Sequence, residues 1–431
     1  MASTAPPPPL HTLAGPHTDS VICLASNELN PNTLASGGED GRLVLHDLRA
    51  AAADAGAAAS ASTPSSLSAV AALCFDPCRP GVLLYAAAGT QVVALDLRKL
   101  VSSSGTSWAP VAASSPADAA RDDVSALAAG GGLLAAADDS GDVAVFDLAA
   151  GEQPGAALKR RVLLRRVHGD SPACAVAFAA SSPAPAVLSG GCDSRVVLTD
   201  TGLPPPGSSG AAKRRVPRPL SAWQMGGEEP GGAGGGGEGG GGGDGDDDNA
   251  AAGTTTNTTT VGAGTVGGPR VCNPPFVFGL ATTTTIAAAG GSGRLVAAAA
   301  RGDGVVAIFE PTAGAASSSR SAPPSSTLIE AHRRAASCAR FFPPGADASS
   351  SSSPLPPLAT GGDDGRVCLW RWPSGSSLGQ PAVLAWEATM PKRAKVNALC
   401  VVGGGGGGEE GAAPLLAVAD TSRRVKLFPT R

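Results

Sequence analysis

Apolar residues along this chain come in short alternating runs: Val21-Ile-Cys-Leu24, Val70–Phe75, Val124–Leu127, Cys174–Phe178, Pro275–Leu280, Cys338–Phe342 and Val396–Val401. Period-two alternation bounded by Gly, Asp and Pro is the pattern of a strand with one buried face. No long stretch keeps the 3.6-residue period of an amphipathic helix, so the chain reads as all-β. Each run is followed by one recurring phrase: a small-residue strand, a tight turn with Asp, a β-rich strand, and usually a closing acidic residue. The phrase is clearest at Leu358-Ala-Thr-Gly-Gly-Asp-Asp-Gly-Arg-Val-Cys-Leu-Trp370. It returns at Leu34–Asp47, Leu134–Asp147 and Leu188–Asp200, and more weakly at Leu83–Asp96, Leu295–Glu310 and Leu415–Phe428. Asp40-Gly41 and Asp364-Gly365 mark hairpins, because such turns need positive φ. Seven copies of one unit predict a repeat fold.

The early copies recur about every fifty residues, longer than the roughly 40–45 of a compact blade-like repeat. The excess falls in Ala/Ser/Pro/Gly stretches at Ala50–Ser68, Val101–Asp118, Thr312–Ser326 and Gly345–Pro357. Such segments hold too little apolar surface to order themselves, and loops tolerate them because closure entropy grows slowly with length. The largest insertion, residues 201–270, carries Gly226–Gly243, the acidic Asp244–Asn249 and a Thr run. It is predicted to be a disordered Gly/Asp/Thr-rich linker. That divides the chain into residues 10–200, four repeats, and residues 271–431, three more.

Composition narrows the function. Gly is 59 and Pro 37 of 431 residues, well above average usage. The 32 Lys+Arg nearly balance 36 Asp+Glu, which argues against a basic surface for nucleic acid. The most apolar stretches, such as Ala126–Ala137, are short and soon meet Asp138, so no membrane partner is expected. Met1–Pro16 lacks the basic and apolar regions of a secretory signal, and the nine cysteines are an odd, scattered set. These features predict a reducing compartment, the nucleus and/or cytoplasm. Cys74 and Cys78 alone approach metal-ligand spacing, with no second pair to complete a zinc site. Gly262-Ala-Gly-Thr-Val-Gly267 matches a dinucleotide fingerprint, but no strand precedes it and Pro269 follows. No P-loop, nucleophile elbow or zinc-protease motif is present. The expectation is a non-enzymatic protein without cofactor or metal.

The phrase Leu358–Trp370, preceded by His332, resembles the WD40 repeat. The resemblance implies a seven-bladed β-propeller, each blade four strands, with the N-terminal strand near Leu10–Leu13 closing the last blade. It also implies a structural tetrad of His, Ser/Thr, Asp and Trp. Here the tetrad maps onto His332, Thr360, Asp364 and Trp370. In the first repeat it maps onto His17, Ser36 and Asp40, with His46 where Trp is usual. In the fourth it maps onto His168, Ser189 and Asp193, with Thr199 in place of Trp. Repeats two, three, five and seven lack most of the set, and are expected to rest on apolar packing alone.

Two blade ends carry candidate chemistry: His46-Asp47-Leu48-Arg49 and Leu95-Asp96-Leu97-Arg98. They resemble the Trp-Asp-x-Arg ending with which WD40 substrate receptors of cullin-4 ubiquitin ligases dock on the ligase adaptor. The resemblance implies adaptor contacts at Asp47, Arg49, Asp96 and Arg98. His46 replaces Trp in the first, and Gly89 replaces the turn Asp in the second. The alternative is a surface ion pair at a blade edge. Lys159-Arg-Arg161 with Arg165-Arg166 reads either as a partner-binding rim or as a solvated strand edge. Lys213-Arg-Arg-Val-Pro-Arg218 reads as a nuclear import signal or a solvated patch. The expected protein is a monomeric propeller that scaffolds proteins, with a histone-tail or nucleic-acid reader as the alternative.

Overall fold

The computed structural model describes residues 8–14, 16–27, 30–49, 59–62, 68–79, 81–98, 112–115, 118–148, 157–179, 185–204, 215–226, 259–262, 273–285, 294–312, 326–343, 355–373, 380–403 and 414–430. Their strands form seven sheets arranged as the blades of a propeller. Blade 1 runs outward through Val21–Ser26, Thr33–Gly38, Leu43–Asp47 and Ala59–Ser62. Blade 2 holds Val70–Phe75, Leu83–Ala88, Gln91–Asp96 and Ala112–Ala113, and blade 3 holds Val124–Gly130, Leu133–Asp138, Val143–Asp147 and Arg160–Leu164. Blade 4 holds Ala173–Phe178, Ala186–Gly191, Arg195–Asp200 and Arg218–Gln224. Blade 5 holds Val277–Thr284, Leu295–Arg301, Val305–Phe309 and Thr327–Glu330, with Thr259–Gly262 added in parallel outside the last. Blade 6 holds Ala336–Phe341, Leu358–Gly362, Arg366–Arg371 and Val383–Thr389. Blade 7 holds Val396–Val402, Leu415–Asp420 and Arg424–Pro429.

The outer strand of blade 7 is His11–Ala14, antiparallel to Arg424–Pro429 with Leu13 opposite Val425. Chain start and chain end thus share one sheet, which covers the edge a C-terminal hairpin would leave open. The first strand of each blade packs against the first strands of its neighbours, and that of blade 1 against that of blade 7. Seven apolar clusters fill the seven interfaces between blades. All seven repeats read from the sequence are therefore blades, and the ring closes as expected.

One correction concerns the predicted insertion. Arg218–Gln224 is the fourth strand of blade 4, with Ser221 and Trp223 buried and Met225 buried just beyond it. The Trp223 ring lies 5.4 Å from that of Phe309 in blade 5. Alternate residues of Ser221–Met225 face inward, as a half-buried strand requires. Thr259–Gly262, also within the predicted linker, is the strand added to blade 5, and the predicted disorder at residues 205–214, 227–258 and 263–270 falls outside the described residues. So do Lys213 and Arg214 of the basic run, whereas Arg215 pairs with Asp200 at 3.3 Å.

Each inner strand carries a β-bulge after its first residue, and all seven occur at the same register. A bulge bends a strand and re-aims the extra side chain. Bulged Ser125 donates to Ala173 O at 2.6 Å, and Asn397 Nδ2 donates to Val21 O at 2.9 Å, so these side chains stitch one blade to the next.

The same register explains the Gly-Gly pairs. A Cβ on Gly37, Gly190 or Gly361 would meet the first valine of the next blade, Val70, Val277 or Val396, at 2.4–2.7 Å. A Cβ on Gly38, Gly191 or Gly362 would meet the ring of His17, His168 or His332 at 2.6–2.7 Å. The first glycine admits the neighbouring blade and the second admits the tetrad histidine. Where that histidine is missing, the second position holds Ala88, Asp138, Arg301 or Asp420, opposite the first residue of the inner strand as in the other blades.

Candidate functional site

The tetrads form where the sequence placed them. In blade 6, His332 Nδ1 lies 3.1 Å from Asp364 Oδ1, and His332 Nε2 lies 3.1 Å from Thr360 Oγ1. Trp370 Nε1 donates to the same Thr360 hydroxyl at 3.1 Å. Asp364 also accepts from the backbone N–H of Arg333 and Arg366. Burial alone would raise its pKa, but the His332 bond and charge and these N–H groups outweigh that and hold the carboxyl below its ordinary value.

Blade 1 is complete too, with a different last member. His17 bridges Asp40 at 3.2 Å and Ser36 at 2.9 Å, and His46 Nε2 lies 2.9 Å from Ser36 Oγ. One donor order satisfies all three contacts. His46 Nε2–H donates to Ser36, the Ser36 hydroxyl donates to His17 Nε2, and His17 Nδ1–H donates to Asp40. His46 thus does the work of the Trp indole. Burial, then the nearby His17, pushes its pKa down to about 3, so the imidazole is neutral. Its Nδ1 has no partner. Blade 4 keeps His168–Asp193 at 2.8 Å and His168–Ser189 at 2.9 Å, while the Thr199 hydroxyl is buried and unpaired.

The expectation that the remaining blades rest on apolar packing alone is overturned, because a buried carboxylate must find donors. In blade 3, Asp138 accepts from Arg121 N, Ser140 N and Oγ, and Asp142 N. In blade 7, fully buried Asp420 is paired with Lys426 and accepts from Ser422 N at 2.9 Å. Blade 5 pairs Arg301 with Asp303. In blade 2, fully buried Asp76 accepts from Arg79 at 3.1 Å and from the Tyr85 hydroxyl at 3.2 Å, and Arg79 also reaches Leu148 O in blade 3 at 2.9 Å.

The Asp-x-Arg ends occupy equivalent positions, leaving the third strand of adjacent blades 1 and 2. Their geometry is identical. Arg49 donates Nε and Nη2 to Asp47 at 3.0 and 2.8 Å, and Arg98 does the same to Asp96 at 3.0 and 2.8 Å. In both, the Arg backbone N–H also donates to the carboxylate at 3.0 Å. This two-point fork fixes the guanidinium plane, while about two-thirds of each Arg side chain faces solvent. The Arg49 bonds hold the Asp47 carboxyl below its ordinary pKa, burial opposing. Blade 3 differs: Asp147 pairs with Arg161 of its outer strand at 2.8 Å.

A second feature went unread in the sequence. Bulged Ile22, Phe278, Ser337 and Asn397 come from four blades, 1, 5, 6 and 7. With Phe276, Asp363 and Lys395 they line a cleft of about 410 Å³ where the inner strands begin. Phe276 and Phe278 meet edge to face at 6.3 Å, and Lys395 pairs with Asp363 at 3.4 Å. Only the bulge register, which the sequence does not display, brings these residues together. Among the described residues, no group of three His, Cys, Asp or Glu is placed to hold a metal ion. No described helix is long and apolar enough to cross a membrane.

Two segments, residues 7–47 and 324–371, match the family model described as WD domain, G-beta repeat. They contain the two complete tetrads. No curated protein matches the chain. Among solved structures the chain is similar to the WD40 β-propeller domain of Doa1, with 13% identity, a TM-score of 0.57, and 98% of this chain and 96% of that one covered. That likeness shows the fold: a β-propeller, here of seven blades.

Proposed function

We propose that this propeller is a protein-interaction scaffold without enzymatic activity, and that it serves as a substrate receptor of a cullin-4 RING ubiquitin ligase. A rigid ring presenting loops on two faces suits recruitment. The observation that carries the ligase reading is the pair of superimposable Asp-x-Arg forks, Asp47–Arg49 and Asp96–Arg98, exposed side by side on blades 1 and 2. An arginine already oriented by its own carboxylate loses little freedom on docking, and Arg is enriched at interface hot spots. We also propose that, within the WD40 group, the chain is similar to WD repeat-containing protein 53. The likeness lies in Leu133–Gly141, Leu84-Tyr-Ala with Leu95–Arg98, Asn273-Pro-Pro, Lys395-Val-Asn397 and Val418–Ser422. We place the protein in the nucleus and/or cytoplasm, acting as a monomer.

Affinity purification of the tagged chain from its own cells tests the ligase reading. The cullin-4 adaptor is expected with wild type and lost with Arg49→Ala/Arg98→Ala, thermal unfolding being unchanged. Equal recovery with both would leave the forks as blade-edge ion pairs.

The cleft at Phe276 and Phe278 favours a second reading, a histone-tail reader, because an edge-to-face aromatic pair suits a cationic side chain. Titration with histone-tail peptides at low salt should then show binding that Phe278→Ala weakens about tenfold. Absence of binding by wild type dismisses it.

A further inference from the structure

The basic run at residues 159–166 divides in the structure. Arg161 turns to Asp147, whereas Arg160, Leu163, Arg165 and Arg166 line a cleft of about 600 Å³ at the outer rim of blade 3. Ala119 and Arg121, from the loop entering blade 3, and Asp142, from its hairpin turn, complete the lining. Four arginines therefore face one space against a single carboxylate. That Asp142 is buried and already accepts the Arg166 N–H at 2.6 Å.

The walls are braced. Arg160 Nη1 donates to Ala119 O at 3.3 Å, tying the outer strand to the loop. The Arg121 backbone N–H is held by Asp138 Oδ2 at 3.2 Å. The Asp142 bond holds Arg166 at φ 51°, a left-handed conformation rare for a side-chain-bearing residue. Arg160 and Arg166 are paired with Asp118 and Asp170. Among the described residues, neither Arg121 nor Arg165 has a carboxylate partner, so two guanidinium groups lining the cleft are left to a ligand.

We propose that this cleft binds a phosphorylated serine or threonine segment of a partner protein. Clustered arginines are the usual reader of such a group, because each planar fork can hold two phosphate oxygens. The volume lies within the range of small-ligand pockets. The lip decides between a phosphopeptide and an extended polyanion. Asp118 and Asp170 are each paired with one of the arginines, and Asp122 follows Arg121 in the chain. They repel a continuous phosphate backbone but tolerate one compact dianion, and they favour basic residues flanking it. The inference is independent of the ligase reading, since it concerns a different blade and a different partner.

The test uses the full chain, immobilised, and a degenerate nine-residue peptide library with central phosphoserine or phosphothreonine, beside the same library after phosphatase treatment. Wild type should retain the phosphorylated library at least tenfold better, with basic residues enriched at the flanks. Arg121→Ala/Arg165→Ala should abolish that preference. Neither side chain bonds to the fold, so the unfolding transition should not move. Arg121→Lys/Arg165→Lys, which keeps charge but not the fork, should retain an intermediate preference. No phospho-preference by wild type overturns the proposal, as does a preference that survives in the alanine variant. A single-stranded oligonucleotide that competes through the same two arginines as well as the phosphopeptides also overturns it, in favour of a polyanion site. Inorganic phosphate that displaces the peptides fully at equal concentration overturns the peptide part of the claim.

Discussion

Lys426→Met is expected to destabilise the propeller by about 3–5 kcal/mol, the cost of leaving a buried charge without its partner. Asp420 is fully buried and Lys426 nearly so. The carboxylate would keep the Ser422 N–H at 2.9 Å and lose its cation. Methionine preserves the aliphatic stem, so the loss is electrostatic rather than a cavity. Lys426 also lies opposite Thr12 in the strand that closes the ring, which makes closure sensitive to this pair. The double variant Asp420→Ala/Lys426→Met removes both charges, and it should recover most of the loss, because replacing a buried pair by apolar groups is often near neutral. Recovery should be incomplete, since Ser422 N–H loses an acceptor. Urea unfolding of wild type, single and double variants measures all three. A single variant within about 0.5 kcal/mol of wild type, the range of ordinary surface changes, would mean that water reaches Asp420.

Why this pair went unread, while the seven hairpins did not, has a physical reason. Hairpins announce themselves locally: Asp-Gly turns and alternation lie within a dozen residues of one another. The outer strands do not. Ala59–Ser62 and Ala112–Ala113 are strands with almost no apolar signal, made by pairing with an edge already present. Arg218–Gln224 does alternate, but it lies between low-complexity stretches that mask so short a pattern. Three sets were legible because the Ser/Thr and Asp sit four residues apart inside the repeated phrase and a histidine precedes each phrase. The substitutes are legible only once register is known. Asp138, Arg301 and Asp420 occupy the position that is glycine wherever the histidine is present. The sites follow the same rule. Asp47–Arg49 and Asp96–Arg98 are neighbours in sequence and were found there. The arginine cleft needs Arg121 beside Arg165, which the folding of blade 3 brings about, and the Phe278 cleft needs four blades to meet, so the second is a property of the closed ring.

The histidine that stands for tryptophan in blade 1 makes stability depend on pH, with a sign that can be worked out. Folded His46 has a pKa near 3, lowered by burial and then by His17, against an ordinary 6.5. Between these values the unfolded chain binds a proton at this position and the folded chain does not. Stability therefore rises with pH across that window. The contribution is complete above pH 6.5 and falls by at most about 1.4 kcal/mol per unit below it. From pH 7 to 4.5 the loss is about 3 kcal/mol. Asp40 adds a separate effect lower down. Burial would raise its pKa, but the bonds from Thr18 N and His17 outweigh that and depress it. Its contribution is present above the ordinary carboxylate range, and it fades as pH falls through the folded value. His46→Trp supplies an indole N–H to Ser36, as Trp370 does to Thr360 in blade 6, and carries no titrating group. Unfolding free energies of the two proteins from pH 7 to 4.5 should diverge, wild type falling more steeply by up to one proton. The slope decides the matter, so the comparison stands even where the larger ring costs stability throughout. Parallel curves would show that His46 takes up its proton in the fold, and would end its assignment as the neutral donor to Ser36.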